Sequence, residues 1–589
     1  MNQSNLSSFI WSVADLLRGD YKQSEYGRVI LPLTVLRRLD CVLEPTKQAV
    51  LMEKKAREEA GLNPEPFLLK AAGQLFYNTS PLDLPKLMGD QDHIRENLFA
   101  YIEGFSPEVR DIFECFDFFN QVERLAKADL LYLVTEKFAQ IDLHPDKVNN
   151  TQMGLVFEEL IRKFAELSNE TAGEHFTPRE VIKLMVNLLF IEDDDALTKP
   201  GIVRSLYDPT AGTGGMLSVA DEHLSSMNTD ARLVMFGQEL NAESYAICKA
   251  DMLIKGQDIS NIIHGNTLSE DGLPHKQFDY MLSNPPFGVE WKKIATQVKA
   301  EHKKQGYNGR YGPGLPRVSD GSLLFLMHLI SKMRPTKDGG SRFAIVLNGS
   351  PLFTGNAGSG ESEIRRYVLE NDYVEAIIGL PTDMFYNTGI STYIWVLTNR
   401  KPRHRKGKVQ LINASAMWEK MKKGLGSKRK QLADSHIEQI TKLFGNFEDT
   451  EEPFQGEHGR TFKKPISRIF KNEDFGYQTI TVERPEKDAK GNIVKNLKGK
   501  LKGKPKPDTS LRDTENVPLG ENIEDYFKRE VLPHVPDAWI DDDKTKIGYE
   551  IPFNRHFYVF TPPRGLEEID TELEQVTGRI VEMIGELSQ

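Results

Sequence analysis

The chain has 589 residues, 39% hydrophobic and 27% charged, with a formal net charge of −11. That length exceeds a single core, so three or four domains are expected. The acidic balance speaks against a protein that grips a long stretch of DNA unaided, and no run of about 18 apolar residues marks a membrane span. Cys41, Cys115 and Cys248 lack CxxC spacing, which argues against a disulfide framework or a zinc site. The opening Met-Asn-Gln-Ser-Asn shows no basic, apolar leader, so a cytoplasmic chain is expected.

Residues 1–150 read as all-helical. Phe9, Ile10, Val13, Leu16 and Leu17 mark one helical face, Ile30, Leu33, Val35, Leu36 and Leu39 a second, and Leu130, Leu131, Val134 and Phe138 a third. No chemistry-bearing motif interrupts them, and a helical interaction domain is the expectation. A different character begins near residue 151. Met153, Leu155, Val156, Leu160 and Ile161 suggest a helix leading to Glu174-His175-Phe176-Thr177-Pro178-Arg179. There Thr177 suits an N-cap, Pro178 the first helical position and Glu180 the third, a capping box. This is either a well-capped helix or a helix start whose free amides, with Phe176, face a ligand; the segments that follow favour the ligand.

Val203 to Tyr207 forms a short strand running into Asp208-Pro209-Thr210-Ala211-Gly212-Thr213-Gly214-Gly215 and then a helix. Strand, glycine turn and helix open a doubly wound sheet. Leu217 occupies the place of the last glycine of a GxGxxG fingerprint, and no GxxxxGK[ST] follows, so neither a dinucleotide fingerprint nor a P-loop is present. Leu233 to Glu239 reads as the next strand. A carboxylate at its end, about 25 residues past the turn, suits a pair of ribose hydroxyls. A helix from Asn241 to Ile254 follows. Asn261 to Thr267 supplies a further short strand and turn, with Asn266 placed to bond an adenine edge.

Phe278 to Ser283 reads as a buried strand ending at Asn284-Pro285-Pro286-Phe287. The two prolines stop the ladder and hold a carboxamide beside an aromatic ring at a strand end. An amide oxygen and a stacking ring are what a site needs to grip a planar base with an exocyclic amino group. None of the three cysteines lies in a Pro-Cys motif, which sets cytosine C5 chemistry aside.

Glu290 to Val318 is polar and glycine-rich, with Lys292, Lys293, Lys299, Lys303, Lys304, Arg310 and Arg317; it is expected as a mobile loop meeting phosphates or as a solvated linker. The helix Ser322–Met333 and strands at 342–347, 374–380 and 392–397 resume the alternation. Phe385 and Tyr386, between the last two, suit a base pocket or the core equally. Past residue 420 the pattern weakens. Arg484 to Lys506 is lysine- and glycine-rich, an exposed insertion or a DNA-touching loop. Leu566, Ile569, Leu573, Val576, Ile580, Met583 and Leu587 alternate spacings of three and four, a heptad seam that predicts packing against a partner's helices or back onto the N-terminal bundle.

The order Phe176-Thr177-Pro178, glycine turn, Glu239, Asn284-Pro285-Pro286-Phe287 resembles the amino-group DNA methyltransferases that use S-adenosylmethionine. More closely, the chain resembles the modification subunit of a type I restriction–modification system, over nearly its whole length, including the segments Glu521 to Phe527 and Tyr549 to Phe553. The resemblance implies an α/β fold: a class I methyltransferase, Rossmann-like and mostly parallel, with an all-helical N-terminal domain and a helical tail. It divides the chain into a helical domain at 1–150, a catalytic domain at 151–420, a mixed region at 421–560 and a docking helix at 561–589. It implies that Asn284, Pro285, Pro286 and Phe287 handle a flipped-out adenine. Glu174, His175, Phe176, Thr177, Pro178, Arg179, Asp208, Thr210, Ala211, Gly212, Thr213, Gly214, Glu239 and Asn266 would hold the cofactor. Many relatives carry aspartate at the position of Asn266. Implied partners are double-stranded DNA, a specificity subunit, a second modification subunit and a motor-nuclease subunit.

Overall fold

Along the central strands, alternate side chains enter two different cores. The computed structural model describes residues 3–587 apart from 151, 154–155, 158–159, 161–176, 194–196, 387, 456–460, 499–501 and 561–564. Leu206, Tyr280, Leu282, Ala344 and Val346 belong to one apolar cluster, whereas Tyr207, Met281, Phe343, Ile345 and Leu347 belong to the other. Strands buried on both faces are the mark of a sheet covered by helices on each side.

Among the described residues, the N-terminal region ahead of residue 150 holds eight helices of eight residues or more: α1 (Gln3–Leu17), α2 (Tyr26–Leu43), α3 (Lys47–Glu59), α4 (Glu65–Ala72), α5 (Ile94–Glu103), α6 (Pro107–Cys115), α7 (Phe118–Lys127) and α8 (Leu131–Gln140). α2 is central and buried almost all round. Its Arg38 donates to the carbonyls of Leu143 and Val148, tying the end of the bundle to its middle. The expected all-helical N-terminal region is found. The helix expected over 153–161 lies partly outside the described residues.

The α/β part starts with α9 (Arg179–Phe190), β1 (Val203–Asp208), α10 (Gly215–Met227), β2 (Arg232–Glu239), α11 (Ala242–Ile254), β3 (Ile262–His264) and β4 (Tyr280–Ser283). It continues through α12 (Ala295–Gln305), α13 (Ser322–Ser331), β5 (Arg342–Asn348), α14 (Gly360–Glu370), β6 (Val374–Gly379), β7 (Thr392–Thr398) and β8 (Lys408–Asn413). From β8 onward, strand order across the sheet is β8-β6-β7-β5-β4-β1-β2-β3. The run β5-β4-β1-β2-β3 is parallel, and β7 is inserted antiparallel between β5 and β6. Because β1 lies between β2 and β4, the strand order reverses there, and in open α/β sheets that switch point is where a crevice opens. The glycine turn after β1 and the Asn-Pro-Pro-Phe segment after β4 meet at this crevice.

The sheet runs on past residue 420. A separate hairpin, β9 (Glu419–Leu425) with β10 (Lys428–Gln431), leads to α15 (Asp434–Asn446), and β11 (Thr450–Gln455) and β12 (Thr461–Lys471) then extend the main sheet beyond β8. A second sheet, β14-β13-β15, follows: β13 (Gly476–Glu483), β14 (Asp513–Pro518) and β15 (Trp539–Tyr549), closed by its own small core of Ile480, Val482, Val517, Phe527 and Val531.

Two expectations are corrected. The stretch 290–318 is neither mobile loop nor linker, because it builds α12 and then locks itself down. Arg310 forms a two-pronged pair with Glu301 and donates to the carbonyls of Thr267 and Leu268, so this cation is used inside the protein rather than at phosphates. The terminal helix α16 (Leu566–Leu587) does not fold back on the N-terminal bundle: Leu573, Val576, Ile580 and Met583 are 58%, 52%, 46% and 56% exposed. The lysine-rich insertion forms an exposed ribbon by backbone pairing, with Lys487 opposite Ile493 and Lys495 opposite Pro505. Among the described residues, no helix is long and apolar enough to cross a membrane.

Candidate active site

β1 delivers Asp208 to the sheet's carboxyl edge, where it is fully buried. Its Oδ1 accepts from the backbone N–H and the hydroxyl of Thr210, at 2.9 and 3.1 Å, which folds the turn back on itself. Burial pushes the Asp208 carboxyl up to about 7; the Thr210 bonds oppose that rise, and the nearby Glu239 charge adds to it. The turn then closes through Gly214 at φ 82°, where a Cβ would be strained and would stand 3.0 Å from the Cys248 sulfur. Ala211, Gly212, Thr213 and Gly214 are all buried in it.

Glu239, at the end of β2, faces the same turn. One carboxylate oxygen accepts from the N–H of Gly212 at 2.8 Å and the other from the N–H of Asn241 at 2.7 Å. A carboxylate offers about four acceptor positions, so each oxygen keeps one for a ligand. Asn266 Oδ1 accepts from Leu268 N–H at 3.0 Å and Ser269 N–H at 3.4 Å, an Asx turn, which leaves Nδ2 as the polar atom that turn does not use.

At the end of β4 two cross-links join the turns. Ser283 Oγ lies 3.0 Å from Thr210 Oγ1, linking the two strand ends. Asn284 donates through Nδ2 to Thr177 Oγ1 at 2.9 Å, and its Oδ1 is buried without a hydrogen-bond partner. A buried amide oxygen left unpaired costs about 1–3 kcal/mol. The amide is thus oriented by one N–H bond to Thr177, with its oxygen unpaired.

This corrects the expected capping box. α9 begins at Arg179, Pro178 holds the cap position, and no side chain caps the helix, because the Thr177 hydroxyl is committed to Asn284 across 107 residues of sequence. Arg179 lies 3.9 Å from Glu222 of α10 and does not line the cleft. Glu174, His175 and Phe176 lie outside the described residues. Pro285 is buried, and Phe287 meets Phe385 edge to face at 5.7 Å.

Thr210, Glu239, Asn266, Asn284 and Pro286 line one cleft of about 760 Å³. That is ample for a nucleoside-sized ligand with room for a second planar group. Its opposite wall is Trp291, Ile294 and Phe325. Sequence reading missed these. Trp291 sits in a polar stretch, and only its 3.0 Å bond to the Arg317 carbonyl and its burial reveal it as wall. The open switch-point crevice, the strand-end carboxylate and the free amide oxygen together suit a nucleoside cofactor beside an amino-bearing base.

Comparison with known proteins agrees with this geometry. The family model described as N-6 DNA Methylase matches residues 148–473, and the HsdM N-terminal domain model matches residues 6–138. The type I restriction enzyme MjaIX methylase subunit of Methanocaldococcus jannaschii is 26% identical over 461 residues, 75% of this chain and 77% of that protein. The EcoKI methylase subunit of Escherichia coli is 28% identical over 264 residues, 42% of this chain and 44% of that protein, so the match spans less than half of it. Among solved structures, the type I restriction-modification system methyltransferase subunit from Streptococcus thermophilus is similar with TM-score 0.61 and 25% identity, covering 81% of this chain and 97% of that one.

Proposed function

The chain belongs to the N-6 DNA methylase family, as a modification subunit of the type I restriction–modification kind, and from that premise we propose that its cleft transfers a methyl group from S-adenosylmethionine to N6 of an adenine drawn out of duplex DNA. The observation that carries this reading is the Asn284 amide, fixed by Thr177 and holding a buried oxygen with no partner.

Adenine N6 is a weak nucleophile because its lone pair is delocalised into the ring. Asn284 Oδ1 and the Pro285 carbonyl accept its two N–H bonds, which draws the nitrogen toward tetrahedral geometry and frees the lone pair. Thr177 keeps the amide from flipping, so that no donor faces the incoming N–H. Phe287 stacks on the base, which must leave the helix to reach the cleft. Glu239 takes the ribose hydroxyls, Thr210 and the buried turn shape the cofactor's bed, and Asn266 Nδ2 donates toward its adenine. S-adenosylmethionine supplies the methyl group as an activated sulfonium. The protein's part is orientation and preset polar groups, with no covalent intermediate.

The cleft's described residues serve the cofactor and one base, and the choice of site belongs in this reading to another chain. We assign that choice to a specificity subunit, flanked by two copies of this chain through α16, with a motor-nuclease subunit completing the restriction complex.

The test is transfer of labelled methyl from S-adenosylmethionine to duplex DNA by the chain co-expressed with the neighbouring reading frames. Asn284→Ala should lower transfer at least ~100-fold, the scale set by removing a preorganised polar group from an active site. Cofactor binding by calorimetry should stay within a few-fold. Transfer that survives the substitution would refute the mechanism.

A further inference from the structure

The hairpin β9–β10 is a strongly basic element joined to the site through Lys428 and Glu180. Residues 419–431 carry six basic side chains and one acidic, a formal +5 in a chain of net −11. Lys420 and Lys430 stand directly opposite each other across the hairpin, an arrangement that costs stability when nothing anionic lies between the strands. Lys430 is partly answered by Asp383 at 3.7 Å and by the Trp418 ring at 4.5 Å. Lys420 and Lys422 are exposed and make no ion pair among the described residues, and the exposed Arg429 guanidinium bonds to the Gly426 and Lys428 carbonyls of its own hairpin.

The hairpin is also rigidly tied to the site. A register shift between Lys428 and Lys430 turns Lys428 inward while Arg429 stays out. The buried Lys428 ammonium pairs with Glu180, three residues after Thr177, and donates to the Met384 carbonyl. Ser427 and Arg429 donate backbone N–H groups to the carbonyls of Tyr386 and Asp383. Between these two anchors lies Phe385, the residue whose ring meets Phe287. A single short segment therefore carries both the buried ring that backs Phe287 and the hairpin.

We propose that the β9–β10 hairpin is a phosphate clamp: Lys420, Lys422 and Arg429 hold the duplex backbone beside the base that enters the cleft. The assignment rests on the function proposed above. It places the backbone contact on this chain rather than on the subunit that reads sequence, and it links grip on the strand to Phe287 through the buried Phe385 ring. Phosphate contacts of this kind position a duplex without reading it.

The test compares two triple variants of equal charge change in the full co-expressed complex. Lys420→Gln/Lys422→Gln/Arg429→Gln removes the clamp; Lys495→Gln/Lys498→Gln/Lys504→Gln removes three charges from the ribbon beyond β13. Each phosphate contact contributes about 0.9 to the slope of log affinity against log salt, so losing three should flatten the slope by about 2.7. Between 50 and 200 mM salt this shrinks the loss of duplex affinity by roughly 40-fold. The KM for duplex should rise while kcat at saturating duplex and the cofactor Kd stay at wild-type values, and the ribbon variant should keep the wild-type slope. A clamp variant with the wild-type slope, or a ribbon variant that flattens it equally, overturns the proposal. A wild-type complex that labels no duplex DNA overturns the parent reading as well.

Discussion

Asp208 shows how one buried group sets conditions for the whole site. Its carboxyl is enclosed at the end of β1 and pushed up to about 7 from an ordinary 3.8, chiefly by burial. Between those two values the folded chain keeps a proton that the unfolded chain has lost. Stability from this group is therefore fully present at acid pH and is lost as pH rises through about 7. Asp208→Asn keeps the Oδ1 that accepts from Thr210 and has no charge to bury. It should be more stable than wild type at both pH 5 and pH 8, with an advantage larger at pH 8 by roughly 3 kcal/mol. Thermal melts at the two pH values check this, and a variant that melts below wild type at pH 8 would contradict the assignment. Sequence made Asp208, Glu239 and Asn284 legible because each sits where an apolar run stops. It could not show that Thr177 bonds Asn284, because that pair is made by tertiary packing across 107 residues. The same packing explains why the expected capping box failed: a hydroxyl engaged by a distant amide is not available to its own helix.

At the scale of elements, what was legible followed from periodicity. The parallel strands announced themselves as apolar runs, because both faces of the sheet are covered. α12 did not, because only Val298 of its eleven residues is buried and the rest are mostly polar. A helix held by one side chain and its flanking turns leaves almost no apolar pattern. α16 is the opposite case. Its seam was plain in sequence, yet Leu573, Val576, Ile580 and Met583 stay about half exposed, which fits a helix completed by another chain. Removing residues 566–589 should leave the core's melting temperature within about 1 °C, since the seam lies exposed and contributes little burial to lose. It should also release the chain from its complex. Size-exclusion chromatography and thermal melts of the truncated chain measure both, and an intact complex would remove α16 as the docking element.

The whole molecule is more continuous than its sequence suggests. A change of pattern near residue 150 invites division into a helical module and a catalytic one. The apolar core, however, runs unbroken from Val13 in α1 to Ile466 in β12. The join is α11, in which every residue from Ser244 to Leu253 is buried. A surface helix buries one stripe; one buried all round needs cover on two sides. The sheet provides one cover. The N-terminal bundle provides the other, where Tyr245 and Lys249, one turn apart, bond Asp111 of α6 at 3.3 and 2.5 Å. Stripping the bundle would bare the outer side of α11 and leave Lys249 without its partner. Each large apolar side chain returned to water costs about 1.5–3 kcal/mol, and a domain's net stability is about 5–15 kcal/mol, so a handful of such exposures is enough to unfold it. A chain comprising residues 151–589 is therefore expected to aggregate or to melt without cooperativity, rather than to serve as a minimal methyltransferase. Its light-scattering profile and its near-ultraviolet circular dichroism on heating decide the matter. A monodisperse fragment with one sharp transition and wild-type cofactor affinity would mean that the bundle only rests on the catalytic sheet. The continuous core argues instead that the bundle holds α11, and through it the glycine turn packed against Cys248, in place.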